Sequence, residues 1–140
     1  MAEAYIVDAV RTPVGRRGGG LSQVHPADLG AHPITALVDR TGIDPAAVED
    51  VIFGNVDSIG PQAGCIARTC WLTAGMPEAV PGTTIDRQCG SSMQAAMNAA
   101  SAIQAGVVAF FRLHPPEGTL YARQRHEAGG DVLELARSAP

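Results

Sequence analysis

PGTTIDRQCGSSMQAA, residues 81–96, reads as a short strand, a turn carrying one cysteine, and the opening of a helix. Thr83, Thr84 and Ile85 form a β-branched run between Gly82 and Asp86-Arg87, which suits a buried strand. Ser91 and Ser92 offer N-cap hydroxyls for the helix. Met93, Ala96, Met97, Ala100 and Ile103 then recur at helical spacing until Gly106 supplies a stop. Cys89 is thereby placed just before, or in, the first helical turn. A helix N-terminus carries partial positive charge and unpaired N–H groups, and both favour a thiolate over a thiol. Gly90 has no side chain to obstruct a reacting carbonyl, and free N–H groups of such a turn can hold an oxyanion. The same pattern also describes a cysteine packed into a helix–sheet junction, since free cysteine is among the most buried residue types.

Working outward, the chain alternates strands and helices. Ala4 to Val10 (AYIVDAV) is an almost unbroken apolar run, which predicts a central strand covered on both faces. A helix is predicted over 28–40, with Leu29, Ile34, Leu37 and Val38 as its apolar stripe and Gly42 as its stop. Pro33 lies inside it, so the sequence predicts either a kink near Leu29–Gly30 or an effective start at Pro33. Asp44 to Asp50 looks like a one-turn helix start, followed by a strand at 51–56, a helix at 65–74, a strand at 83–86 and a helix at 91–105. Such βαβαβα order predicts an α/β fold with a mainly parallel sheet, whose sites gather at the C-terminal ends of strands. Cys89 follows the third strand, where that rule puts a reactive group.

Composition narrows the function. The 140 residues carry 46% apolar residues, a net charge of −4 and all ten basic groups as arginine. An acidic chain argues against nonspecific nucleic-acid binding, and without lysine there is no Schiff base or P-loop lysine. No apolar run approaches the ~18 residues of a membrane span, and nothing at the N-terminus reads as a leader, so a cytoplasmic protein is expected. Cys65, Cys70 and Cys89 make neither a CxxC nor a zinc spacing; no metal is expected, and Cys65 and Cys70 read as packing residues. The arginine- and glycine-rich stretch Arg16–Gly20 lacks a nucleotide-loop spacing, and His25 and His32 have no partner at ligand spacing.

After Gly106 the rhythm breaks. Val107 to Phe111 begins a strand that Arg112 to Gly118 (RLHPPEG) stops, and the remainder is polar and arginine-rich. Residues 1–106 are accordingly expected to form one partial domain, and 107–140 a divergent, poorly ordered tail, as after a frameshift or truncation.

The assembled segments resemble the N-terminal half of the thiolase family. They are YIVDAVRTPVGRRGG, DLGAH, DVIFGNV, GCIARTCWLTAGMPEAVPGTTIDRQCGSSMQAA and the helix end IQAG, covering residues 4–106. The resemblance implies a thiolase-like fold truncated before its later strands. It also implies an acyltransferase that moves an acetyl or acyl group between coenzyme A thioesters, by 3-ketoacyl-CoA thiolysis or acetoacetyl-CoA synthesis. Cys89 would be the acyl-accepting nucleophile, with its main-chain N–H at the oxyanion. No permanently bound cofactor is implied; coenzyme A and acyl-CoA are substrates. Partners would be copies of the same chain, as homodimer or tetramer, meeting near the strand before Cys89, with no nucleic acid or membrane.

The family's activating histidine, its second cysteine and most CoA contacts lie outside the matched segments. His114 and His126 match no family motif, and the Gly-Gly strand expected after Gly106 is missing. The isolated polypeptide is therefore expected to be inactive. Two other readings stand beside this one: a non-catalytic half-domain that associates with an intact thiolase subunit, and a papain-like cysteine hydrolase, which Gln88-Cys89-Gly90-Ser91 faintly resembles.

Overall fold

The computed structural model describes residues 3–108 and, beyond them, the backbone of residues 110–114, 119–123, 125–127 and 130–132. The elements run β1 (Ala9–Val10), α1 (Pro26–Thr41), β2 (Asp50–Gly54), α2 (Ile66–Thr73), β3 (Gly82–Ile85), α3 (Ser91–Gln104), β4 (Phe110–His114), β5 (Thr119–Arg123), β6 (Arg125–Glu127) and β7 (Gly130–Val132). The five-stranded sheet has the order β1-β5-β4-β2-β3, and β6 and β7 form a separate antiparallel pair. β2 is parallel to β3 (Val51↔Gly82 to Gly54↔Ile85) and to β4 (Val51↔Arg112). The α/β architecture with a parallel centre is the one that the alternating pattern predicts.

β2 decides which helix goes where. Its residues alternate faces, so Val51 and Phe53 point to one side and Ile52 to the other. Val51 and Phe53 join Ile34, Ile66, Ala67, Cys70, Trp71 and Val80 in a core under α1 and α2. Ile52 packs with Ala95, Ala99 and Ile103 under α3. Trp71 is fully buried and its indole N–H donates to the Pro77 carbonyl at 2.8 Å, so its one polar atom is satisfied. α1 and α2 approach closely at Gly30, where a Cβ would lie 2.4 Å from Cys70 Sγ.

Four expectations need correction. The 4–10 run is not a central strand: only Ala9–Val10 is strand, antiparallel to β5 at the sheet edge, and Ile6 is 52% exposed. The place beside β2 that such a strand would take is occupied by β4. Secondly, of the two alternatives raised by Pro33, the start there is excluded, since α1 begins at Pro26. It is one helix through a buried Pro33, with Pro26 in its first turn, His25 Nδ1 accepting from the Ala27 N–H at 3.2 Å, and Gly42 closing it at φ +63°. Burial of Ala27, Gly30, Ala31, Ile34 and Leu37 along one stripe outweighs the one backbone bond that proline removes.

Thirdly, the buried stripe of α3 is Ser91, Ala95, Ala99 and Ile103, while Met93 and Met97 are 69% and 44% exposed. Met93 and Met97 suggested the wrong face for the first turns, where the small Ser91, Ala95 and Ala99 lie inward, whereas Ile103, which the spacing also named, is buried. Fourthly, the strand that the sequence stops at Arg112 extends to His114. The expectation of poor order over 107–140 falls in part on residues outside those described.

Candidate functional site

Cys89 is exposed and stands between β3 and α3, with Gly90 as the N-cap residue and Ser91 as the first residue of the helix. It belongs to neither element. The sequence placed it just before or in the first turn, and the structure puts it just before. Neither serine caps the helix: α3 has no side-chain cap bond. Ser91 is instead turned back into the preceding loop, where its Oγ accepts from the Arg87 N–H at 2.8 Å and donates to the Gln88 carbonyl at 2.7 Å.

The loop is tightly wound. Gly90 N–H donates to Arg87 O at 3.0 Å and Ser91 N–H to Gln88 O at 3.1 Å. Gln88 N–H donates to an Asp86 carboxylate oxygen at 3.0 Å, and Gln88 itself lies at φ +49°, a left-handed conformation rare outside glycine. None of these bonds uses the Cys89 N–H. Arg87 is drawn along α3 by a hydrogen bond from its guanidinium to Gln94 Oε1. Gly90 is not forced by space, since a Cβ there would meet only Arg87 O, at 3.5 Å.

In front of the cysteine is a cavity of about 250 Å³ lined by Gly54, Asn55, Val56, Gln88, Cys89, Ser91 and Ser92. Its floor is the C-terminal end of β2, and the Asn55 N–H continues the β2–β3 ladder to Ile85 O at 2.9 Å. Gly54 is indispensable there: a Cβ would lie 2.2 Å from Ser92 N and 2.4 Å from Ser91 C. Ser92 Oγ is buried and makes no hydrogen bond among the described residues. A second cavity of about 210 Å³ between α1, β2 and α2 shares Gly54 and Asn55 with the first.

Of the other sequence candidates, Cys70 is buried and its thiol is pushed up to about 12, chiefly by burial, so it is a packing residue. The Cys65 thiol donates to Gly82 O at 3.2 Å and holds α2 against β3. His25, the N-cap residue before α1, and His32 on α1 are exposed and line neither cavity. His114 and His126 lie in β4 and β6, and their side chains are outside the described residues. Among the described residues no three potential metal ligands cluster, and no helix is long and apolar enough to cross a membrane. Gly54, Asn55 and Gln88 are site residues that sequence reasoning missed. A glycine late in a buried strand is a signal of close backbone approach; glutamine carries no sign of a positive φ.

Chemically, the arrangement offers an accessible thiol just before a helix start and an adjoining concavity. Among the described residues the lining holds no histidine, carboxylate or amine to act as base.

Comparison with known proteins gives one family. The model of the thiolase N-terminal domain matches residues 4–111. A steroid 3-ketoacyl-CoA thiolase of Mycobacterium tuberculosis is 64% identical over 106 residues, which are 76% of this chain and 26% of that protein. A β-ketoadipyl-CoA thiolase of Acinetobacter baylyi is 50% identical over 107 residues, 76% of this chain and 27% of that one. The crystal structure of the Bacillus anthracis acetyl-CoA acetyltransferase matches with a TM-score of 0.75 at 41% identity, over 81% of this chain and 28% of that chain. The chain spans about a quarter of the length of the curated relatives it matches.

Proposed function

The chain belongs to the thiolase family through its N-terminal domain, and on that premise we propose that its chemistry is acyl transfer between coenzyme A thioesters through Cys89. The observation that carries the reading is the exposed Cys89 at the start of α3, facing a cavity at the C-terminal end of the parallel strand β2. The Cys89 sulfur attacks the carbonyl carbon of an acyl-CoA. The tetrahedral oxyanion is held by main-chain N–H groups of the turn, that of Cys89 among them. The carbon–sulfur bond to coenzyme A then breaks, and its thiolate leaves and is protonated. The acyl-Cys89 thioester passes its acyl group to a second acceptor, a thioester enolate or free coenzyme A. Exchange between two sulfurs of similar leaving ability suits a covalent intermediate.

The names of the relatives support a 3-ketoacyl-CoA as the substrate class, cleaved by coenzyme A. In that direction the Cys89 thiolate attacks the 3-keto carbonyl carbon, the bond from that carbon to C2 breaks, the electron pair leaves on the acetyl-CoA enolate, which takes up a proton, and free coenzyme A then receives the acyl group from Cys89. Acetoacetyl-CoA synthesis is this sequence reversed, and the acetyl-CoA acetyltransferase likeness supports that direction equally. Among the described residues the cavity lining contains no general base, and a positioned base contributes about 10²–10⁴-fold. We therefore expect the 140-residue polypeptide by itself to turn over slowly; thiolysis of acetoacetyl-CoA at the rate of a full-length thiolase would refute this. No resident cofactor is required, since coenzyme A enters and leaves as substrate. A cytoplasmic, homo-oligomeric enzyme without nucleic-acid or membrane partners completes the proposal.

The test is intact mass after incubation with acetyl-CoA. One acetyl group is expected on the wild-type chain and none on Cys89→Ser. An equal adduct on both would place the chemistry elsewhere. A second reading, a half-domain that associates with an intact thiolase without reacting, is favoured by the missing base. It predicts no adduct but stable capture by a full-length thiolase subunit. Peptidase activity abolished by Cys89→Ser would instead support the cysteine-hydrolase reading.

A further inference from the structure

We propose that Ser91 is a positioning residue for Cys89. Its hydroxyl latches the Arg87–Gln88 backbone in the left-handed turn that aims the nucleophile at the cavity. The proposal rests on reading Cys89 as the acyl acceptor, and deepens that reading.

Three observations converge. Ser91 is the buried polar side chain among the described residues, only 2% exposed, although a serine at a helix start usually faces solvent or caps the helix. Its hydroxyl uses both of its capacities on the residues just before the cysteine, accepting from Arg87 N–H and donating to Gln88 C=O. Gln88, between those two bonds, is one of two non-glycine residues of positive φ among those described, and it lines the cavity beside Cys89. A left-handed glutamine persists only where its surroundings hold it, and such strain gathers at functional sites. Here the hydroxyl grips the Asp86–Arg87 peptide through its N–H and the Gln88–Cys89 peptide through its carbonyl, one on either side of that residue. Losing it leaves the Arg87 N–H without this partner and the Gln88 carbonyl with the Ser91 N–H alone, and frees Gln88 to return to an ordinary conformation, which swings Cys89 away from Gly54 and Ser92. Since β2 supports the first turn of α3 from below through Gly54, the helix itself stays in place.

The experiment compares two reactions of the full chain at Cys89, read by peptide mapping. Acylation by acetyl-CoA needs the oxyanion geometry of the turn; alkylation by iodoacetamide does not. Ser91→Ala is expected to lower the ratio of acylation to alkylation rates by about tenfold or more, since small misplacements of reacting groups have effects of that order. It should also remove the strong intraresidue amide–Hα NOE that marks a positive φ at Gln88. Gln88→Gly in the Ser91→Ala background should restore most of the ratio, because glycine enters the left-handed region unaided. Gln88→Val, at an exposed position and with the Ser91 hydroxyl intact, should lose the ratio as Ser91→Ala does, because a β-branched residue resists positive φ. It keeps the test open if Ser91→Ala does not fold. A wild-type NOE and ratio retained in Ser91→Ala, or a wild-type ratio in Gln88→Val, would overturn the proposal. A wild-type ratio no higher than that of glutathione would sink acyl transfer itself, and the NOE comparison would still decide whether Ser91 holds the turn.

Discussion

At Gly54 a single missing Cβ decides whether the site can exist. The backbone of Ser91 and Ser92 comes so near that an added carbon would lie 2.2 Å from Ser92 N, and backbone atoms cannot swing aside as a side-chain tip can. Gly54→Ala is expected to destabilise the chain by about 3 kcal/mol, the upper part of the usual range for overpacking. A urea midpoint within experimental error of wild type would contradict that. Cys70 makes the opposite point about its type. Burial raises its thiol to about 12 from an ordinary 9.0, so the neutral form is favoured in the folded state. The stability this gives is complete below pH 9, where the unfolded thiol is also neutral, and is lost as the pH rises from 9 towards 12. At pH 8.5 iodoacetamide should therefore modify Cys89 well before Cys70, and urea should abolish the difference; a Cys70 modified as fast in the native chain would show it to be accessible. The contrast between a packed Cys70 and a Cys89 standing just before α3 was legible from motif context. The left-handed Gln88 was not, because its conformation is imposed by a hydroxyl three residues away and not by its own chemistry.

Among the elements, α3 shows where pattern reading fails. Apolar spacing pointed to Met93, Ala96, Met97, Ala100 and Ile103 as its inner face, and of these Ile103 is fully buried, but the helix otherwise rests on Ala95 and Ala99. Size was the missing consideration: a helix set close to a strand end needs small residues, and spacing alone does not weigh volume. Met97→Gln is expected to change stability by less than about 0.5 kcal/mol, as surface substitutions do. Ala99→Gln should cost several times more, by pressing a polar chain into a fully buried position. Equal urea midpoints for the two variants would restore the spacing-based face. The α1–α2 contact obeys the same size rule at Gly30 against Cys70 Sγ. Gly30→Ala should cost about 1–3 kcal/mol, and Cys70→Ala in the same chain should give less than the additive loss, since the two share one space. α1 itself was legible in extent to within two residues at each end. Pro33 misled because local propensity was set against a burial stripe that only the folded core reveals.

For the molecule as a whole, the α/β order was written in the alternation of segments, whereas the sheet order was not, because strand neighbours are chosen by tertiary competition. β1 lost the central place to β4 for that reason. The family match stops at residue 111, inside β4, near the boundary drawn at Gly106. β3 ends the sheet, with an open edge and an exposed Thr83. We propose that copies of the chain meet there, as the resemblance implies. Light scattering should give a dimer or larger, and Thr83→Lys should shift it towards monomer, because a charge on an edge strand discourages pairing. A monomeric wild type would end that proposal. The seat that Gly54 offers to α3 also sets an order in time. Val51 and its partner Gly82 are thirty-one positions apart, so the β2–β3 pairing is a slow, long-range closure. Only afterwards is there a strand end for the helix to land on. The reactive turn is then the last part of the chain to mature, and during refolding pulsed iodoacetamide should find Cys70 shielded before pulsed acetyl-CoA finds Cys89 able to be acylated.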